Sequence, residues 1–332
     1  MKISASVYSD KNRTLAETID DLVEHQVDML HVDCNDDPSV FDDIREIRSW
    51  CDLPIDLHII SSDPTRYFDR LYDTPVEYVT FQYEDLPQAF DLPEDLPGLK
   101  GLAITTPTAV DVFDRYRDFD FILMMATVPG QSGGVFDASN FTKIRAFKRR
   151  YPGKNVHVDG GVNGEVSFIL RSMGVRASVS GSFLFKATSV GQALMDLTKR
   201  EIESTFQIRD FMITREECPI VEKQDLSLFK ALRLIEDGAL GLCIVEDNGV
   251  FEGIITNADV RRGLLRQFDD IYNIEVADIL NTNPVVISDT ATVNDMLRLV
   301  RSKPFPISYM PVINDDKQAV GVVTFFNLIK GE

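Results

Sequence analysis

The stretch DMLHVDCNDDPSVFDDIREIRSWCDLPIDLHII, residues 28–60, contains the unit from which the first part of the chain is built. It begins with an apolar run at 28–33 and ends with another at 54–60. Between the two runs, apolar side chains recur at helical spacing, at Ile44, Ile47 and Cys51. The stretch therefore predicts a strand, an amphipathic helix and a second strand.

The same alternation continues through the first two hundred residues. Eight short apolar runs are separated by longer stretches, most of them helix-like: KISASV (2–7), DMLHVD (28–33), PIDLHII (54–60), EYVTFQ (77–82), KGLAIT (100–105), FILMMA (121–126), NVHVDG (155–160) and RASVSG (176–181). Eight strand–helix units in this length predict an α/β fold, a parallel TIM (β/α)8 barrel rather than an open sheet. The stretch after the fourth run contains three prolines and is the poorest candidate for a helix.

The second part of the chain contains an internal repeat. PIVEKQDLSLFKALRLI (219–235) realigns with PVVISDTATVNDMLRLV (284–300), and IVEDNGVFEGIITNAD (244–259) realigns with VINDDKQAVGVVTFFN (312–327). Each copy predicts a strand, a helix, a hairpin and a final helix, and one copy is too small to bury its own apolar face. We therefore predict a barrel domain at 1–204 and a second α+β domain at 205–332, with packed repeats at about 205–270 and 271–332.

Composition excludes several classes of function. Acidic residues outnumber basic ones by 53 to 34, a net charge of -19 that repels the phosphate backbone of nucleic acids. The four cysteines form no C-x-x-C pair, which argues against a zinc ribbon or a disulfide framework and favours a reducing compartment. No window approaches the ~20 apolar residues of a membrane span, and nothing resembles a signal peptide. We expect a soluble, cytoplasmic protein.

The carboxyl ends of the predicted strands carry a candidate metal site. The active face of such a barrel lies at these ends, and strand alternation puts His31 and Asp33 on one face. If His58 and Asp159 face the same barrel mouth, two imidazoles and two carboxylates meet there. That set suits Zn²⁺ best and also Fe²⁺ or Mn²⁺. A lone histidine is more often structural, so the prediction depends on the convergence of the strand ends.

Glycine-containing turns follow the last three strands. They are PGQSGG (129–134), GGVNG (160–164) and Gly181-Ser182. Glycine lets backbone N–H groups approach an anion closely, and the phosphate site of a barrel is usually built from its last loops. Any one of these stretches could be a simple tight turn, but the three together favour a phosphate group on the ligand.

Over essentially all of residues 1–200, these motifs resemble the ribulose-phosphate 3-epimerase family. The matching pieces are ISASVYSD, HVD, LPIDLH, PGQSGGVF, VDGGVN and SGSFLF, in the family's order and spacing. The resemblance assigns four residues to a divalent metal: His31, Asp33, His58 and Asp159. It makes Asp33 and Asp159 the paired acid and base, and Ser6 an active-site serine. It matches Gly160, Gly161, Gly181 and Ser182 to the family's phosphate contacts. From the glycine-containing turns themselves we add Gly130, Gly133, Gly134 and Asn163 as predicted substrate or phosphate contacts.

The implied reaction inverts the carbon next to a ketone in a phosphorylated sugar. One carboxylate removes the proton, the other returns one from the opposite face, and the metal stabilises the enediolate as a Lewis acid. The resemblance favours D-ribulose 5-phosphate, converted to D-xylulose 5-phosphate. After Asp33, however, the chain reads Cys34-Asn35-Asp36-Asp37-Pro38 where the family has a longer lid loop. Alternatives are therefore another ketose phosphate, such as a hexulose 6-phosphate, or a sensor without turnover. A decarboxylase is disfavoured because HVDCND contains no lysine.

Residues 205–332 resemble a tandem pair of CBS domains, a Bateman module. The first repeat has the G-x-x-T-x-x-D pattern, whose Thr256 and Asp259 correspond to residues that hold a nucleotide ribose. The second repeat has Thr324 and, in the aspartate position, Asn327. The resemblance implies an adenine nucleotide as regulatory ligand, one competent site and one weakened site, and a homo-oligomer, dimeric or larger. The alternative is an oligomerisation module that binds no ligand.

Overall fold

A computed structural model describes the chain at residues 1–88, 90–127, 133–199, 204–268 and 274–325. These residues form two compact units, one within 1–199 and one within 204–325. The predicted boundary near residue 204 stays a prediction, because it adjoins residues outside the described ranges. None of the helices in those ranges is both long and apolar enough to cross a membrane.

The first unit is a closed barrel of eight parallel strands in sequential order, which confirms the predicted fold class. The strands are β1 (Lys2–Ser6), β2 (Met29–Asn35), β3 (Ile55–Ile60), β4 (Tyr78–Gln82), β5 (Leu99–Thr105), β6 (Phe121–Met125), β7 (Asn155–Asp159) and β8 (Ala177–Ser180). Each strand begins and ends within one residue of the corresponding apolar run, except that β2 continues two residues beyond its run. Strands of a closed parallel barrel are covered on both faces, so nearly continuous apolar runs form them.

Helices cover the outside of the barrel. They are α1 (Leu15–Glu24), α2 (Val40–Trp50), α3 (Phe68–Asp73), α4 (Ser139–Arg150), α5 (Gly164–Ser172), α6 (Ser182–Lys186) and α7 (Val190–Thr198). The first begins with a reciprocal capping box, in which the Thr14 side chain accepts from the Glu17 N–H and the Glu17 side chain accepts from the Thr14 N–H. After β4, the described residues form only the short 3-10 helix Tyr83–Asp85, as the prolines there predict.

Strand register sets which polar side chains meet inside the barrel. His31 pairs with Asp56 and Asp33 pairs with His58 between β2 and β3. Residues paired across neighbouring parallel strands lie at the same level of the barrel, and alternate residues face its interior. Two successive levels therefore carry an imidazole beside a carboxylate, and the upper level lies at the barrel mouth.

The second unit is an α+β domain. Its strands are β9 (Ile213–Thr214), β10 (Ile220–Glu222), β11 (Leu242–Asp247), β12 (Val250–Thr256), β13 (Ile287–Ser288), β14 (Tyr309–Ile313) and β15 (Ala319–Thr324). They form two sheets, ordered β10-β11-β12 and β13-β14-β15-β9. Its helices are α8 (Ile208–Phe211), α9 (Leu228–Gly238), α10 (Asn257–Arg266), α11 (Val276–Ile279) and α12 (Val293–Arg301). Strand, helix and hairpin recur in both repeats as predicted. The final helix of the second repeat falls outside the described residues.

The two repeats exchange their leading segments. Strand β9 lies near the start of the first repeat but pairs with β15 of the second. Conversely, Asn281, near the start of the second repeat, forms a bridge with Ile254 in β12 of the first. The buried Glu246 accepts hydrogen bonds from Arg215, which also donates to the Ala319 carbonyl across the repeats at 2.7 Å. Neither repeat therefore completes its sheet without the other.

Candidate active site

His31 lies at the centre of the candidate site and is fully buried. Its Nδ1 is 2.9 Å from Asp56 Oδ2, an oxygen that also accepts from Ser4 Oγ at 3.0 Å. Its Nε2 lies 3.2 Å from Asp33 Oδ1 at the barrel mouth. Because Asp56 accepts the proton of Nδ1, the lone pair of a neutral His31 is on Nε2 and faces the mouth. This is the carboxylate–histidine arrangement that orients metal-binding histidines.

His58 is oriented by a residue of the neighbouring strand β4. Its Nε2 lies 2.9 Å from Gln82 Oε1, so this nitrogen carries the proton and donates it. Its Nδ1 is buried, makes no hydrogen bond and lies 3.4 Å from Asp33 Oδ1. A buried nitrogen with a free lone pair costs free energy unless a partner satisfies it. The structure therefore presents a second imidazole ligand atom at the mouth.

The ligand atoms of His31, His58 and Asp159 lie within 4.8 Å of one another. Asp33 contacts both imidazoles, so the structure brings together all four residues predicted for the metal. Two neutral imidazole nitrogens with carboxylate oxygens form a donor set that suits Zn²⁺ and other first-row divalent ions. The unpartnered Nδ1 of His58 is the direct sign that the residues fit such an ion.

The site's carboxylates have pKa values displaced in opposite directions. Burial alone would raise the pKa of Asp33, but His31, through its charge and its hydrogen bond, lowers that pKa well below the ordinary value. Burial, reinforced by the negative charge of Asp33, raises the pKa of Asp159 to about 6. Burial would lower the pKa of His31, yet the carboxylates of Asp33 and Asp56 hold it well above the ordinary value.

The predicted phosphate turns follow β7 and β8. Gly160 and Gly161 have positive φ angles of 107° and 67°, which only glycine adopts without strain. A Cβ on Gly161 would lie 2.2 Å from the backbone nitrogen of Phe136, so the loop after β6 closely approaches this turn. A Cβ on Gly181 would lie 2.2 Å from Ser9 Oγ, which is itself 2.9 Å from Ser6 Oγ.

Other predicted contacts have more local surroundings. Asn163 Oδ1 accepts from the Val166 N–H and so caps α5. The φ of Gly133 is 89°, and a Cβ on Gly134 would lie 2.6 Å from the Thr127 side chain, so both positions need glycine. Gly130 lies outside the described residues. The substrate roles of all these residues stay predictions.

Three residues near the site were missed in the sequence. Asp56 and Gln82 orient the two histidines, and strand alternation could have identified both. Asp56 lies two residues before His58 in β3, and Gln82 is the last residue of β4 and faces the interior. Lys186 Nζ would lie 3.8 Å from a Cβ on Gly133, whose other near neighbour is Ser182 Oγ at 4.0 Å. It places a cation beside the predicted phosphate turns, and no local sequence signal marks it.

In the second unit, Thr256 and Asp259 form a capping box at the start of α10. Thr256 Oγ1 accepts from the Asp259 N–H at 3.2 Å, and Asp259 Oδ2 accepts from the Thr256 N–H at 3.0 Å. Arg262 also donates to Asp259. The pair therefore has a structural role independent of any ligand. Thr324 ends β15, and Asn327 lies outside the described residues.

Comparisons with known proteins match the two parts of the chain to different families. A model of the ribulose-phosphate 3 epimerase family matches residues 2–185, and a CBS domain model matches 208–266 and 276–331. Ribulose-phosphate 3-epimerase of Bacillus subtilis is 25% identical over 212 residues, 59% of this chain and 98% of that protein. The cytoplasmic isoform from Oryza sativa is 27% identical over 214 residues, covering 60% and 93%. The CBS-pair protein CBSX2 from Arabidopsis thaliana matches 38% of this chain and 94% of its own at 23% identity, with a TM-score of 0.32.

Proposed function

Because the chain belongs to the ribulose-phosphate 3-epimerase family through residues 2–185, we propose that it converts D-ribulose 5-phosphate to D-xylulose 5-phosphate. The family makes it an isomerase that acts on carbohydrates. The observation that carries the proposal is the convergence of His31, His58 and Asp159, with Asp33 in contact with both imidazoles, at the barrel mouth.

The two carboxylates have the chemistry that inversion requires. We assign proton removal and proton return to Asp33 and Asp159, which approach the mouth from β2 and β7. These carboxylates, with His31 and His58, could hold a divalent cation. As a Lewis acid, such a cation would lower the barrier to removing the proton from the carbon next to the ketone. Zn²⁺ suits the nitrogen and oxygen donors best, with Fe²⁺ and Mn²⁺ as the other candidates.

We assign the phosphate of the substrate to the turns after β7 and β8. Gly160 and Gly161 expose backbone without a side chain, and Gly181 does the same beside Ser6 and Ser9. Lys186, at the end of α6, supplies a positive charge near Ser182. An ammonium group and backbone N–H donors together compensate a dianion in an otherwise acidic protein.

The test is an epimerase assay on the purified full chain, stripped of metal and then reloaded with Zn²⁺ or Mn²⁺. We expect metal-dependent turnover that Asp33→Asn and Asp159→Asn abolish, while exchange of the exposed Asp52 for asparagine leaves it intact. In D₂O, each site variant should still exchange the C3 hydrogen of only one epimer, because one base remains. Activity near wild type in either site variant would refute the acid–base assignment.

The loop after β2 favours a second candidate substrate, a longer ketose phosphate such as a hexulose 6-phosphate. Asp36 adopts a left-handed conformation with a φ of 55°, and its Oδ1 accepts from Ser61 at 2.6 Å and from Tyr67 at 3.1 Å. These contacts tie the short loop to the residues that follow β3. Turnover of the hexulose phosphate, with none of the pentulose phosphate in the same assay, would establish this candidate.

We further propose that the CBS pair senses an adenine nucleotide. The proposal is supported by the family match and by the G-x-x-T-x-x-D pattern at the buried Thr256 and Asp259. The residue corresponding to Asp259 is Asn327, so one site should be stronger than the other. Calorimetric titration of the full chain with AMP and ATP tests this, and the absence of binding to either would favour an oligomerisation module without a ligand.

A further inference from the structure

Glu84 is connected to the candidate metal site through one intermediate side chain. Gln82 Nε2 donates to Glu84 Oε2, and Gln82 Oε1 lies 2.9 Å from His58 Nε2. Gln82 is 1% exposed and His58 is fully buried, so water does not compete for the contact between these two side chains. The contacts run from an accessible carboxylate beyond the end of β4 to an imidazole ligand atom of β3.

A carboxylate at position 84 leaves only one arrangement for this chain of hydrogen bonds. An ionised carboxylate accepts and never donates, so the amide nitrogen of Gln82 must face Glu84. The amide oxygen of Gln82 then faces His58 and accepts the proton of Nε2. The lone pair of His58 is consequently on Nδ1, the buried atom without a hydrogen-bond partner at the mouth.

The other oxygen of Glu84 is held from β5. Its Oε1 accepts from the Thr105 N–H at 2.9 Å, from Thr105 Oγ1 at 2.8 Å and from Thr108 Oγ1. Partial burial alone would raise the pKa of Glu84, but hydrogen bonds from Thr108 and Thr105 lower it, which keeps the side chain ionised at neutral pH. The backbone N–H of Thr105 can only donate. The side-chain atom of residue 84 that faces it must therefore be an acceptor.

We infer that Glu84 is a positioning residue that selects the metal-binding tautomer of His58 through Gln82. The inference rests on the proposed metal site, and it assigns a role to a residue that contacts neither metal nor substrate. It also explains why the chain places two hydroxyl groups and a backbone N–H around one accessible carboxylate.

The decisive variant is Glu84→Gln. The Thr105 N–H still requires an oxygen on its side, so the new amide nitrogen faces Gln82. Gln82 must then turn its oxygen toward position 84 and its NH₂ toward His58. His58 Nε2 becomes the acceptor and Nδ1 carries the proton, which blocks the lone pair that a metal needs. Metal binding must reverse both amide contacts, and we expect Zn²⁺ affinity to fall about tenfold.

Two measurements on the full chain test the inference. In metal-free protein labelled with ¹⁵N-histidine, the ring nitrogen shifts should report Nε2–H for His58 in the wild type and Nδ1–H in Glu84→Gln. Competition with a chromophoric chelator should show the tenfold weaker Zn²⁺ affinity. The matched control Asp85→Asn removes a neighbouring exposed charge and should change neither. In a Gln82→Leu background, Glu84→Gln should have no further effect, because the two residues act in series.

The outcomes separate this inference from the proposed function. An unchanged His58 tautomer in Glu84→Gln, or an unchanged Zn²⁺ affinity, overturns the role of Glu84 and leaves the epimerase proposal intact. Failure of the wild type to bind Zn²⁺, Fe²⁺ or Mn²⁺ refutes the metal site. It also refutes the predicted loss of Zn²⁺ affinity in Glu84→Gln. A tautomer reversal together with a weaker affinity supports the inference.

Discussion

The charge of Asp56 should strengthen metal binding through His31, and Asp56→Asn isolates that charge. Asp56 is 1% exposed, and its Oδ2 accepts from both His31 Nδ1 and Ser4 Oγ. Its Oδ1 is buried without a hydrogen-bond partner. An asparagine can place its oxygen at the Oδ2 position and its NH₂ at the Oδ1 position, so it keeps both hydrogen bonds while removing the negative charge.

The expected magnitude follows from the two kinds of hydrogen bond. A bond to a charged group contributes about 1.5–3 kcal/mol, and a neutral one about 0.5–1.5 kcal/mol. The difference, about 1–1.5 kcal/mol, corresponds to roughly a tenfold weaker Zn²⁺ affinity. Asp56→Ala removes the acceptor as well, leaves His31 free to rotate, and should weaken binding further, within the 10–100-fold range of such partners.

The assay is a Zn²⁺ competition titration of wild type, Asp56→Asn and Asp56→Ala, with unfolding temperatures as the control for folding. We expect graded affinities in that order. Equal affinity in wild type and Asp56→Asn, with both proteins folded, would show that the charge of Asp56 does not reach the metal through His31, and would refute the reasoning.

The remaining predictions concern the phosphate turns and the CBS pair. Lys186→Met should raise KM roughly fivefold with kcat little changed, because an exposed charge contributes about 1 kcal/mol, whereas Lys199→Met should leave KM alone. Gly161→Ala should lower the unfolding temperature more than Gly153→Ala. Both glycines have positive φ, but only a Cβ at position 161 would clash with a neighbouring backbone. Equal shifts in unfolding temperature would refute this clash. Asp259→Ala should abolish nucleotide binding in calorimetry. Asp295→Ala breaks a capping box of the same geometry in α12 and should leave nucleotide binding intact. Equal effects of the two substitutions would make the role of Asp259 purely structural.

Much of the site could be predicted because its residues obey a local rule. Strand alternation with a period of two is an intrinsic property of the backbone, so His31 and Asp33 had to share a face. The ends of parallel strands gather at one edge, which is enough to predict that His58 and Asp159 join them. The structure confirms the barrel and brings the four side chains together, while their roles await the assays above.

The amino-acid sequence by itself determined the eight strands, the repeat in the second part and the polar strand ends, because each depends on the periodicity or composition of a short segment. Only the tertiary structure decided that Asp56 and Gln82 orient the histidines, that Glu84 acts on Gln82, that Lys186 reaches the loop after β6, and that β9 completes the sheet of the other repeat. These contacts join side chains or strands from different segments. They depend on strand register, barrel closure and the direction of each hydrogen bond, which form only when the whole sheet assembles.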